Sequence, residues 1–312
     1  MNERILVLGA GAIGTALAAV FVEAGCGVSL LDPDANAREK AMTAVERHRA
    51  AMARAGLSTD AAEGELTLIA SLDDAGTAAL AIEAAAENRD LKAALFQDLL
   101  RTMGDTAVLA TASSAIPISA ILPQATDQQR CLVAHPANPP SLIRVLELVP
   151  GPGTAPETVT RAAALFSAAG FDPVALGHEL PGFVFNRLQS ALLREAYRLV
   201  DEGVVDVDGL DRLVRDGLGP RWALSGPFET ADLNTAGGIR GHAARLGPAY
   251  AAIGAARGET NPSWSTALVD RVATERRRLL PEEALPARRA WRETALADLL
   301  AARRRLLAEA DG

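Results

Sequence analysis

The chain is poor in metal-binding and cross-linking side chains, with two cysteines and four histidines among 312 residues. Cys26 and Cys131 stand alone, and His48, His135, His178 and His242 are scattered without CxxC or HExxH spacing. A zinc site is therefore not expected, and a chain of this length buries a large core without disulfides. No stretch approaches the roughly 18 apolar residues of a membrane span. The start, Met1-Asn2-Glu3-Arg4 followed by Ile5-Leu6-Val7-Leu8, lacks the basic segment, apolar core and cleavage site of a signal peptide. Positive charge is also scarce. Thirty-one basic against 39 acidic residues give −8, which opposes broad attraction to phosphate backbones. Arg276-Arg277-Arg278 and Arg303-Arg304-Arg305 are flanked by acids and read as solvated helix faces. The expectation is a cytoplasmic protein whose partners include neither nucleic acid nor membrane.

What is present reads as alternating strand and helix. Arg4–Leu8 is a short apolar run ending in glycine, and small apolar residues fill Ala12–Ala24 as in a helix packed on a sheet. Strand-like runs recur at 28–31, 66–69, 80–83, 107–110, 131–134 and 145–149. Helical stretches fall at 35–55, 90–103 and 156–169. One-directional alternation implies an α/β domain with a Rossmann-type, doubly wound, mostly parallel sheet. After Pro181-Gly182 the strand signals stop. Helical patterns at 183–202, 207–216, 264–280 and 286–310 imply an all-helical second domain, so residues 1–181 and 182–312 are the expected domains.

Gly9-Ala10-Gly11-Ala12-Ile13-Gly14 is a GxGxxG pattern set directly between a strand and a helix. Gly9 permits the tight turn, Gly11 lets backbone approach a pyrophosphate, and Gly14 allows helix and strand to pack closely. The helix start, with Ala12 and Ile13, offers unpaired N–H groups to phosphate. Asp32, at the end of the second strand, stands where an acid bonds the adenosine ribose. A 2′-phosphate there meets a like charge, costing on the order of 1–4 kcal/mol, so NAD is expected over NADP.

Polar residues interrupt the later apolar strands. Ser113-Ser114 follow one, His135 follows Cys131–Ala134, and Glu147 lies inside Val145–Val149. A carboxylate within such a strand is costly unless paired. A histidine is its natural partner, and the pair makes a general base.

These residues carry a resemblance. His135-Pro136-Ala137-Asn138-Pro139-Pro140, Glu147, and Pro181-Gly182-Phe183-Val184-Phe185-Asn186-Arg187 resemble the 3-hydroxyacyl-CoA dehydrogenase superfamily. Gly217–Ala223, with Arg221-Trp222, then Gly226–Thr230 and Ala287–Arg292, resemble its branch containing lambda-crystallin and L-gulonate 3-dehydrogenase. The likeness spans nearly the whole chain. It implies a catalytic group of Ser114, His135, Glu147 and Asn186, and a cofactor and substrate cleft lined by Glu87 and Lys92. Ser114, Asn138 and Arg221 fall on the substrate side, with Arg221 as a bidentate carboxylate clamp. It also implies a homodimer joined through the helical domain. Thr111-Ala112 replace the serine and asparagine usual in acyl-CoA enzymes, and the 35–55 helix is not lysine-rich. Both departures turn the reading toward a small acid such as L-gulonate. L-3-hydroxyacyl-CoA, L-carnitine and a crystallin-like structural role are the alternatives.

The implied chemistry is oxidation of a C3 hydroxyl. His135 takes the hydroxyl proton and Glu147 fixes its tautomer, while Ser114 and Asn186 donate to the reacting oxygen.

Overall fold

The computed structural model describes residues 3–59, 64–224, 226–233, 238–258, 278 and 281–310. Contacts divide the chain into two units. The first is Met1–Arg187 with Glu293–Ala301, and the second is Leu188–Arg292 with Ala302–Gly312.

The first unit is built on an eight-stranded sheet of order β3-β2-β1-β4-β5-β6-β7-β8. The strands are β1 (Arg4–Leu8), β2 (Gly27–Leu31), β3 (Leu66–Ile69), β4 (Leu80–Glu83), β5 (Val108–Thr111), β6 (Cys131–Pro136), β7 (Val145–Pro150) and β8 (Asp172–Ala175). Neighbours pair in parallel except β6 and β7, which run antiparallel. Strand β1 shows why the runs are continuously apolar. Ile5 and Val7 join the core on one face, Leu6 and Leu8 the core on the other, so both pleat faces are buried.

Helices α1 (Ala12–Glu23), α2 (Ala35–Arg54), α3 (Arg89–Thr102), α4 (Ile118–Ile121) and α5 (Pro156–Ala168) connect the strands. In α1 every residue from Gly14 to Val22 is buried. A Cβ on Gly14 would collide with the carbonyl of Gly9, so glycine is what lets α1 lie this close to the sheet. Asp34 caps α2 and Asn88 caps α3, each accepting a backbone N–H through its side chain.

Some elements of this unit lie outside the sequence expectation. Strand β8 is Asp-Pro-Val-Ala, an exposed edge whose proline tolerates the lack of a ladder donor. Helix α4 is a single turn. The unit also takes in part of the terminal helix Leu285–Ala310. There Ala297 is buried with Ala55 and Leu142, and Arg54 donates to both Asp298 oxygens at 3.1 and 2.8 Å.

Among its described residues the second unit has helices and no strand. It holds most of α6 (Phe185–Asp201), then α7 (Val207–Arg212), α8 (Gly219–Leu224), α9 (Pro227–Leu233) and α10 (Gly238–Arg257). The helix expected over 207–216 stops at Arg212 and continues as a wider π turn, Leu213–Leu218. The helix expected over 264–280 lies outside the described residues but for position 278. Arg257 bridges Glu195 and Glu202, tying α10 to α6.

Candidate active site

The parallel strands β1, β2, β4, β5 and β6 all end at one edge of the sheet, and the polar residues singled out in the sequence gather there. The glycine turn comes first. Gly9 takes φ +103°, and a Cβ on it would stand 2.7 Å from the Ala84 carbonyl at the end of β4. Gly11 has nothing within 4 Å of a built Cβ, and it caps α1 without a side-chain hydrogen bond. Two glycines therefore close the turn against the sheet while the middle one faces open space, as a pyrophosphate needs. Ala12 and Ile13 open the helix. Asp32 accepts from Ala10 N at 2.8 Å through Oδ2 and from Asp34 N at 2.9 Å through Oδ1. Its carboxylate thus holds the glycine turn and keeps lone pairs for a ribose diol. These residues fit a dinucleotide.

The second group lies on β6 and β7. Their antiparallel register sets His135 opposite Glu147, and His135 Nδ1 lies 2.7 Å from Glu147 Oε2. Both side chains are buried. The other oxygen, Oε1, accepts from Val184 N at 2.8 Å and Phe185 N at 2.9 Å. Gly182 and Phe183 make those N–H groups available by turning left-handed in succession, at φ +78° and +49°. The Phe183 ring is fully buried and sits 5.5 Å from the imidazole, with Phe185 edge-on at 6.3 Å. Nδ1 is thereby committed to the carboxylate, and Nε2 is the nitrogen left for chemistry.

The same turn reaches the serine loop. Asn186 Nδ2 donates to the carbonyl of Ser114 at 2.7 Å, and Ser114 is exposed after β5. Further along both segments, Ser119 donates its N–H to Glu179 at 2.9 Å and its hydroxyl at 2.5 Å. The 113–119 and 179–186 segments are laced together at both ends. So the structure brings Ser114, His135, Glu147 and Asn186 into one connected set. Asn138 is exposed in the loop after β6. Arg221 falls on α8 in the second unit, and its side chain lies outside the described residues.

Lys92 and Glu87 occupy a third group. Glu87 Oε1 accepts from the Ser113 hydroxyl at 2.6 Å, Ser114 N at 3.2 Å and Ala115 N at 3.1 Å. Burial pushes the Glu87 carboxyl up, but the Ser113 hydroxyl, the Lys92 charge and the Ala115 N–H outweigh it and hold it below the ordinary carboxylate range. Lys92 lies behind Glu87. Its side chain is 1% exposed, and its ammonium meets Glu83 at 3.0 and 2.9 Å, Glu87 at 3.4 Å and the Ala85 carbonyl at 3.4 Å.

Sequence reasoning gave Glu83 no role, named Ser113 only beside Ser114, and did not foresee the turn at Phe183. A signal for Glu83 was available, since a carboxylate closing the apolar run Leu80-Ala81-Ile82 raises the same pairing question as Glu147.

Comparisons with known proteins agree along the whole chain. The family description "3-hydroxyacyl-CoA dehydrogenase, NAD binding domain" matches residues 4–179, and its C-terminal domain matches 182–276. A lambda-crystallin homologue of Bos taurus is 37% identical over 300 residues, covering 94% of this chain and 93% of the relative. An L-carnitine dehydrogenase of Streptomyces griseus is 36% identical over 245 residues, 78% of this chain and 72% of that one. Among solved structures, an NAD+-dependent 5-formyl-3-hydroxy-2-methylpyridine 4-carboxylic acid 5-dehydrogenase superposes with TM-score 0.82 at 27% identity, covering 96% and 99% of the two chains.

Proposed function

The chain belongs to the 3-hydroxyacyl-CoA dehydrogenase family, an NAD-dependent oxidoreductase of CH–OH donors, and from that premise we propose that it oxidises the C3 hydroxyl of a small polar 3-hydroxy acid, L-gulonate or a near relative, with His135 as general base. The observation that carries this reading is the buried His135–Glu147 pair, tied through the 184–186 turn to Ser114.

Bound NAD supplies the acceptor for the hydride released from the carbinol carbon. Gly9, Gly11, Ala12, Ile13, Gly14 and Asp32 hold the dinucleotide in this reading. His135 Nε2 takes the hydroxyl proton. Glu147, fixed by two backbone N–H groups, keeps Nδ1 protonated and stabilises the imidazolium that forms. Ser114 and Asn186 donate toward the reacting oxygen, where partial negative charge develops.

Two features support a small acid over a thioester. The likeness to a lambda-crystallin homologue extends over nearly the full length of both chains. On α2, two of the cations already have acidic partners, Arg49 with Glu23 and Arg54 with Asp298, which leaves a weak surface for the phosphates of coenzyme A. L-carnitine is the second reading, favoured by the 36% identity to an L-carnitine dehydrogenase. In both, the family resemblance would assign the substrate carboxylate to Arg221, with Asn138 on the substrate side.

NADH formation followed with gulonate, carnitine and 3-hydroxybutyryl-CoA tests the proposal. Turnover on gulonate with none on the thioester supports it; activity on the thioester alone overturns the substrate, and activity on none revives a structural role. Arg221→Leu should raise KM for the acid and leave NAD affinity unchanged. We also propose a homodimer joined by the second unit, where Leu188, Leu213 and Phe228 are 64%, 66% and 81% exposed. Light scattering that finds one chain per particle excludes it. A reducing, cytoplasmic setting is proposed as well, in keeping with two buried free cysteines.

A further inference from the structure

One carboxylate of the first unit has no part in the chemistry above. Glu179 lies in the connection from β8 to α6 and is half-buried. Both of its oxygens are spent on a single residue. Oε1 accepts the backbone N–H of Ser119 at 2.9 Å, and Oε2 accepts the Ser119 hydroxyl at 2.5 Å. Ser119 belongs to the single turn of α4 and is also half-buried. Gly151, just past β7, closes on the same place. A Cβ on it would collide with Ile118 and Gln128 and stand 3.3 Å from Glu179 Oε1. Among the described residues, Glu179 makes the only hydrogen bonds that join residues 177–182 to a distant segment.

The strained turn comes directly after it. Gly182 and Phe183 take φ +78° and +49°. Only beyond that turn do Val184 N and Phe185 N reach Glu147 Oε1, and Asn186 Nδ2 the carbonyl of Ser114. A left-handed φ at a residue other than glycine persists where the surroundings over-determine it. On the exit side of the turn those surroundings are Glu147 and Ser114. On the entry side the hydrogen bonds are those of Glu179. The 114–119 and 179–186 segments thus form a closed ring, with one clasp at the proposed site and the other at Ser119.

We infer that Glu179 is a positioning residue: by clasping Ser119 it holds the entry to the 182–183 turn, and so sets where Asn186 stands against Ser114 and how Glu147 is held. Its carboxylate is occupied by Ser119, so its effect passes through the backbone, as a supporting shell acts on a reacting group. The residue type fits the task. A carboxylate only accepts, which suits a partner that presents an N–H and an O–H side by side. An amide could serve almost as well, because the hydroxyl can rotate to accept from its NH2. Acceptor geometry, rather than charge, is therefore what the position requires.

The inference rests on the proposed roles of Asn186 and Glu147, so its first test needs no turnover. In Glu179→Ala, amide hydrogen exchange of the peptide covering 182–186 should quicken by about ten-fold or more, with exchange in β1 and β6 unchanged. In Glu179→Gln it should stay within about three-fold of wild type. Ser119→Ala removes one bond of the two and should quicken the same peptide less than Glu179→Ala does. Combining the two alanines should add nothing, because both act through one contact. Unchanged exchange at 182–186 in Glu179→Ala, or additive effects, overturn the inference. Should Glu179→Ala fail to fold, unchanged exchange in Ser119→Ala overturns it equally. In turnover, Glu179→Ala should lower kcat by about ten-fold while the NADH dissociation constant stays within about two-fold. Glu179→Gln should recover kcat, and the loss should shrink in an Asn186→Ala background. A fall in kcat that Glu179→Gln does not recover, at wild-type exchange, would put the charge itself in the reaction and refute the clasp. A chain inactive on every substrate refutes the dehydrogenase reading, and the exchange result alone then decides the clasp.

Discussion

His135 and Glu147 face each other across the antiparallel β6–β7 pair, with Nδ1 2.7 Å from Oε2. The carboxylate is itself held by Val184 N and Phe185 N, so the imidazole is oriented by a group that cannot easily rotate. Glu147→Gln keeps an oxygen for the backbone N–H groups but turns an amide NH2 toward Nδ1. The wrong tautomer then results, and kcat should fall by about 10²–10⁴, as should kcat of His135→Ala. NADH affinity, measured by fluorescence titration, should hardly move. Near-wild-type kcat in either variant sinks the general-base assignment. Glu147→Ala should also lower stability, since each buried N–H left unpaired costs about 1–3 kcal/mol.

In the proposed reading Asp32 would perform two tasks at one position, since its carboxylate meets Ala10 N and would also meet the ribose. Asp32→Ser removes the charge that opposes a 2′-phosphate. The ratio of kcat/KM for NADP over NAD should rise by about ten-fold or more, the lower part of the 1–4 kcal/mol repulsion. NAD affinity should fall as well, because the turn loses its tether. An unchanged NADP-to-NAD ratio refutes the account of cofactor choice.

Most of the sheet was legible because its strands are buried on both faces and read as apolar runs bounded by turns. Arg4–Leu8 and Leu80–Glu83 have the expected bounds. Edge strand β8 was not legible, because Asp172, Val174 and Ala175 are exposed and carry no burial pattern. At the site, His135 and Glu147 could be paired by the cost of a lone carboxylate in a strand. Glu83 raised the same question, but Lys92 could not be named as its partner. Their separation is one helix entry, and Lys92 reads as an ordinary charge near a helix start until packing buries it. The turn at Phe183 was also hidden, since a left-handed φ at phenylalanine runs against local preference and exists only because tertiary contacts hold it.

Glu87 has its pKa depressed below the ordinary value of 4.5, chiefly by Ser113 and Lys92 acting against burial. A carboxyl with a lowered folded pKa adds stability that is complete above its unfolded pKa and is lost as pH falls through the folded one. The melting temperature of wild type should therefore exceed that of Glu87→Gln near neutral pH, with the gap closing as pH falls below the ordinary carboxylate range. Ser113→Ala should move that closure to higher pH. A gap that stays constant with pH contradicts the linkage.

Phe183 sets backbone strain against packing. A left-handed φ costs a non-glycine residue about 1–2 kcal/mol, yet this ring is fully buried beside His135. Truncating a core phenylalanine costs about 3–5 kcal/mol, so packing wins and the strain is tolerated. The balance makes an unusual prediction about the two smallest replacements. Phe183→Ala loses the ring and keeps the strain, whereas Phe183→Gly loses the ring and releases it. Glycine gives back part of that gain through a freer unfolded chain, about 0.4–1 kcal/mol. Phe183→Gly should still be the more stable of the two by about 0.5–1 kcal/mol, the reverse of their order at an ordinary core position. Urea denaturation midpoints decide it: an alanine variant that matches or exceeds the glycine variant means the turn carries no strain. Both variants loosen the N–H groups that hold Glu147, so both should lose turnover as well as stability.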